Sequence, residues 1–208
     1  MPETGGEAGG GVGAGASRPQ AMTAAVALAA INHFVPRLPT STLHRMAIKD
    51  GLLAEYDHEM GTTRRLLERI PEDKLSWKPH DKSMSLADLS THLSSIPQWA
   101  GTILNTSSFD FADAPPNPAP KTSRLAVLEE FDAAVRQARA WMDKSDAEYA
   151  ARWSLKRHGQ ELFSLPRVAA FRSFILNHMI HHRGQLSVYL RLTNVPVPAI
   201  YGPSADEG

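Results

Sequence analysis

Four segments of this chain space their apolar residues three and four positions apart, a period that admits little except amphipathic helices. In the first, Ile48, Leu52, Tyr56, Met60, Thr63, Leu67 and Ile70 trace one stripe, and Pro71 ends it. The second opens with Ser85-Leu86-Ala87-Asp88, the pattern of a capping box in which the Ser85 hydroxyl and the Asp88 carboxylate satisfy free amides. It is expected to run through His92 to about Leu104, with a kink or break at Pro97, which lacks the amide that would bond the carbonyl of Leu93. The third spans about Thr122 to Met142, with Leu128, Phe131, Val135, Ala138 and Met142 on one face and Glu129, Arg136 and Arg139 assigned to solvent. The fourth spans about Pro166 to Thr193, with proline in the favoured first turn and Asn194, Pro196 and Pro198 stopping it.

The implied fold class is all-α, a four-helix bundle. The segment 109–120 holds four prolines and is expected to be a long extended crossover between helices 2 and 3. Trp153-Ser154-Leu155, a turn at His158-Gly159, and Leu162-Phe163-Ser164 suggest a short hairpin before helix 4, although runs this brief also suit other structures. A chain of 208 residues accommodates one such domain and a tail. The domain is placed at residues 46–207, and residues 1–45 are expected to form a disordered or loosely helical extension. The apolar run at 21–31 is too short to cross a bilayer and only weakly resembles a secretory signal. Met46, directly before the first periodic segment, is an alternative start of translation.

The 22 basic and 22 acidic side chains cancel, which leaves no global field to draw the protein to nucleic acid or to an anionic membrane. A cytoplasmic location and a small-molecule substrate or protein partner are the expectation. The sequence has no cysteine, so any metal must be held by nitrogen and oxygen.

Histidine supplies that nitrogen. Advancing about 100° per residue along helix 4 with His178 at zero, His182 falls near 40°, Tyr189 and Phe171 near 20° and Ile175 near 60°. Arg172, Arg183, Ser187 and Arg191 fall about 120° to 220° away, as a solvent face should, and His181 lies at the edge, near −60°. On helix 2, with His92 at zero, Leu89, Ile96, Trp99 and Ile103 all lie within about 60°. His92, His178 and His182 are therefore expected to point inward together. Buried imidazoles need polar partners. One shared ion satisfies all three, and an i, i+4 pair with a third histidine from a neighbouring helix leaves coordination positions open.

Asn177-His178-Met179-Ile180-His181-His182-Arg183-Gly184-Gln185-Leu186, continued by Tyr189-Leu190-Arg191, resembles the signature of the DinB family of damage-inducible, YfiT-like proteins. Trp77-Lys78-Pro79-His80, Leu89-Ser90-Thr91-His92-Leu93, Val195-Pro196-Val197-Pro198 and the closing 201–207 add to the resemblance, which covers about residues 46 to 207. It implies a divalent ion, zinc or nickel first and iron or manganese next, held by His92, His178 and His182. It also implies a homodimer and relatives that include thiol-dependent transferases. Two functions follow as expectations: a metal-dependent enzyme of hydrolase or thiol-dependent transferase type, or a non-catalytic, stress-related metal-binding or sensing protein.

Other polar residues have plainer expected roles. Asp88 caps its helix rather than orienting His92. Gln185 either bonds the ring of His181 or a metal-held water, or is a buried polar residue paired to a neighbouring helix. Arg183 is expected in solvent or at a dimer interface. His80 is expected to pack in its turn beside Trp77, and Asp57 and His58 to be an exposed polar pair.

Overall fold

The structure, a computed structural model, describes residues 46–207, and the expected extension at residues 1–45 lies outside them. Helix α1 (Ile48–Leu67) buries Leu52, Tyr56, Met60, Thr63 and Leu67, the stripe its spacing predicts, together with Leu66. Its apolar stripe meets two later helices, α4 (Arg124–Trp141) and α7 (His178–Leu192), and these also receive α2 (Leu86–Ser95). Helix α2 opens on the Ser85–Asp88 capping box, with the Ser85 hydroxyl accepting from the Asp88 amide and the Asp88 carboxylate accepting from the Ser85 amide, each at 3.1 Å. Pro97 breaks it as expected: a single 3₁₀ turn, Ile96–Gln98, separates α2 from α3 (Trp99–Asn105). Beyond α2, Glu129, Arg136 and Arg139 of α4 are exposed, as the charge pattern requires.

The seam between α3 and α4 depends on a missing side chain. A Cβ on Gly101 would lie 2.8 Å from two ring carbons of Trp141, closer than real packing permits. Gly101→Ala should therefore destabilise the fold by about 1–3 kcal/mol through overpacking, less the roughly 1 kcal/mol that alanine gains over glycine in a helix. The urea midpoint measures this, and an increase in stability would show that the Trp141 ring moves aside freely.

The all-α expectation is corrected by a small sheet. A short helix, α5 (Asp146–Ala150), leads into the predicted hairpin, which is present as β2 (Arg152–Arg157) and β3 (Gln160–Pro166), and β1 (Ser108–Asp110) pairs with β2 in parallel, giving the order β1-β2-β3. His158 (φ 51°) and Gly159 (φ 77°) both turn left-handed, which suits the right-handed twist of a two-residue hairpin loop. The Asp110 carboxylate accepts from the amides of Ala112, His158 and Gly159, so the turn is fastened to β1 and the carboxyl is held below its usual range by these backbone amides. The proline-rich crossover is thus not extended throughout: it begins as a strand and a 3₁₀ turn, Phe111–Asp113. Trp153 Nε1 donates to the Thr102 carbonyl, and Arg167 donates to the carbonyls of Ile103 and Thr106, which clamps the sheet to the end of α3.

Helix 4 is also corrected. Pro166 ends β3, and the helix continues as α6 (Arg167–Phe171), a π-helical segment (Arg172–Asn177) and α7. Within α7, Met179, Arg183, Leu186 and Leu190 are buried. Arg183 is therefore neither solvated nor a dimer-interface charge. It is 1 % exposed and donates to Glu59 of α1 at 2.6 Å, to the Glu59 carbonyl at 3.2 Å and to the Tyr201 hydroxyl. Tyr201 in turn donates to the Glu59 carboxylate, its ring 5.0 Å from the guanidinium centre. The chain after α7 is strapped down by Arg65 on the Ala199 carbonyl, Arg69 on Glu207 and Arg191 on Asp206.

Candidate metal centre

Helices α2 and α7 meet along a seam fixed at one end by Tyr189, whose ring stands edge-on to Trp77 at 5.5 Å and whose hydroxyl donates to the Met84 carbonyl. Farther along that seam, α2 contributes His92 and α7 contributes His178 and His182. The three rings converge with centroids 4.5 to 4.9 Å apart. Nε2 of His178 is the hub, 3.2 Å from Nε2 of His92 and 2.9 Å from Nε2 of His182. Among the described residues this is the group of histidine and carboxylate side chains whose donor atoms lie close enough to share an ion, all within 4.8 Å.

The rings are half-buried rather than inside the core, which corrects the expectation of buried imidazoles. The helical wheel explains why. Met179, Arg183, Leu186 and Leu190 lie about 80° to 140° from His178, so the buried arc of α7 is centred there and the histidines sit on its rim. Leu86, Leu89 and Leu93 bury the matching arc of α2, with His92 at its edge.

Burial depresses the basicity of all three. Desolvation pushes His92 down to about 4, with His182 and His178 as cationic neighbours adding to the effect, and desolvation lowers His178 and His182 as well. At neutral pH the rings are therefore uncharged, the form in which imidazole binds a metal. The Phe174 carbonyl beside the His178 ring opposes part of that lowering. His182 is oriented from behind, where Oε1 of Gln185 lies 2.7 Å from its Nδ1.

The donor set fits an ion. A ring nitrogen carries one proton or one lone pair, so His178 Nε2 completes a good hydrogen bond with one of its two close neighbours and not both. Ligands about 2.05 Å from a shared ion lie roughly 2.9 Å apart at right angles and about 3.3 Å apart at tetrahedral angles. The two separations from His178, 2.9 and 3.2 Å, fall in that interval, and the third, between His92 and His182, lies within 4.8 Å.

The remaining histidines and acids lie elsewhere. His181 is exposed and outside the cluster, its ring 4.8 Å from that of His182. Gln185 is exposed, not buried, and does reach the His181 ring. His80 is an exposed turn residue whose Nδ1 accepts from the Lys82 amide. Asp88 serves the helix cap. Asp57 and His58 are exposed but do not pair with each other: Asp57 accepts from Arg139, and His58 stacks on Tyr201. The buried Glu59–Arg183 pair, to which the exposed Tyr201 bonds, escaped sequence reasoning, although the 4-3-4 spacing of Met179, Arg183, Leu186 and Leu190 carried its signal.

Fold and site together define a mainly helical protein with a histidine triad at a helix seam. The chain belongs to the DinB family, whose sequence profile matches residues 44–208. It is 23 % identical over 159 residues to the uncharacterized protein YrdA of Bacillus subtilis strain 168, an alignment covering 76 % of this chain and 90 % of that protein. Its fold is similar to that of a DinB-like protein from Bacillus cereus ATCC 10987, with a TM-score of 0.56 at 20 % identity, over 74 % of this chain and 98 % of the other. A DinB-like protein from Bacillus subtilis, YjoA, matches with a TM-score of 0.54 at 18 % identity, over 76 % and 98 % of the two chains. Among the described residues no helix is long and apolar enough to cross a membrane.

Proposed function

We propose that the protein holds one divalent metal ion, zinc or nickel, through Nε2 of His92, His178 and His182, and uses it in a reaction on a small molecule. The observation that carries this reading is the convergence of three uncharged ring nitrogens that protons alone leave mismatched. Imidazole ligands suit both metals. Three protein ligands leave positions open, which is the arrangement of catalytic rather than closed structural sites. An ion held in this way lowers the pKa of a water or thiol that reaches it and polarises a bound oxygen. The half-buried rim supports such access. The reaction type is that of a hydrolase or a thiol-dependent transferase, the second favoured by the family resemblance.

A cobalt-substituted sample tests accessibility. Its visible spectrum should change on adding millimolar azide or a small thiol while the helical circular dichroism stays constant. An unchanged spectrum, together with unfolding on metal removal, would replace the enzyme with a non-catalytic binding or sensing protein.

A further inference from the structure

Gln185 stands on the solvent side of α7, three residues beyond His182 and four beyond His181, so one helical turn brings its amide over both rings. Its Oε1 is 2.7 Å from His182 Nδ1, and its Nε2 is 3.3 Å from His181 Nε2. A carbonyl oxygen only accepts, so this contact requires the proton of His182 on Nδ1 and leaves Nε2 bare, facing His178. The reversed amide would present its NH₂ group to Nδ1. That contact would move the proton to Nε2, where it would point into the cluster and exclude an ion. The amide's NH₂ group meets Nε2 of the exposed His181 ring.

We infer that Gln185 is a positioning residue that fixes the tautomer of His182. This rests on the metal reading only for its consequence, since the tautomer is a property of the protein without an ion. Groups that bond the far nitrogen of a ligating histidine orient the ring and raise its basicity, and their removal weakens metal binding about 10- to 100-fold.

Two readouts on the full chain test it, with Gln185→Leu and Gln185→Glu as variants. Gln185 is exposed, so neither substitution opens the core. Nitrogen NMR of the metal-free protein should show His182 as the Nδ1–H tautomer in the wild type and in Gln185→Glu, which keeps the acceptor, and as a mixture in Gln185→Leu. Zinc affinity, measured by competition with a chromophoric chelator, should fall about 10- to 100-fold in Gln185→Leu and be retained in Gln185→Glu. An unchanged tautomer in Gln185→Leu would overturn the inference, as would wild-type zinc affinity in that variant. A wild type that binds no zinc but shows the expected tautomer change would sink the metal reading alone and uphold the positioning role.

Discussion

Replacing His178 by alanine should abolish tight zinc binding while leaving the helical content unchanged. His178 is the ring that both others approach, at 2.9 and 3.2 Å, so its loss removes a ligand and also the nitrogen around which the pair is arranged. Groups outside the ligand set cost about 10- to 100-fold when removed, so loss of this ligand should exceed roughly 100-fold. The ring is half-buried, which limits the cavity it leaves and keeps the test one of binding rather than folding. His181→Ala is the matched control, since its ring lies outside the triad, and it should cost less than about 10-fold. Chelator competition on both variants measures the contrast. Equal losses would mean that the second helical ligand has been misassigned.

The largest effect on stability should come from Arg183→Ala or Glu59→Ala. The side chains are 1 % and 7 % exposed, and each would leave the other charged in the core without its partner. Breaking such a pair from one side costs about 3–5 kcal/mol, a large share of the roughly 5–15 kcal/mol that holds a domain together. Removing both charges, as Glu59→Met with Arg183→Met, should recover most of the loss, because a well-packed apolar pair is often as stable as a buried ionic one. Urea denaturation of the two single variants and the double one gives the comparison. A single substitution costing under about 1 kcal/mol would show that water reaches the abandoned charge.

The helices and the hairpin were legible because both are local: periodicity of three and four, one capping box, one proline break and a His-Gly turn. The triad was legible because His178 and His182 share a face at any helical pitch, and an apolar arc on α2 pointed His92 the same way. Its depth was not. A step of 100° per residue does not hold across the π-helical segment Arg172–Asn177, so Phe171 and Ile175 drew the apparent centre of the buried arc toward His178 and away from Leu190. Arg183 was misjudged for the same reason, compounded by its charge, whose partner Glu59 lies 124 residues earlier. Strand β1 escaped because three residues carry no measurable alternation, and the parallel partner that makes them a strand lies beyond the whole of α4.

Glu59 has a second long-range partner besides Arg183, the Tyr201 hydroxyl, 142 residues later in the chain. During synthesis this carboxylate emerges well before either group that bonds it, the buried guanidinium of Arg183 and the exposed ring of Tyr201. Seating α1 without α7 would desolvate a charge with nothing opposite. The full burial of the first helix is thus tied to the presence of the last one, and a chain cut short before Arg183 would carry an unmatched carboxylate on the face it has to bury.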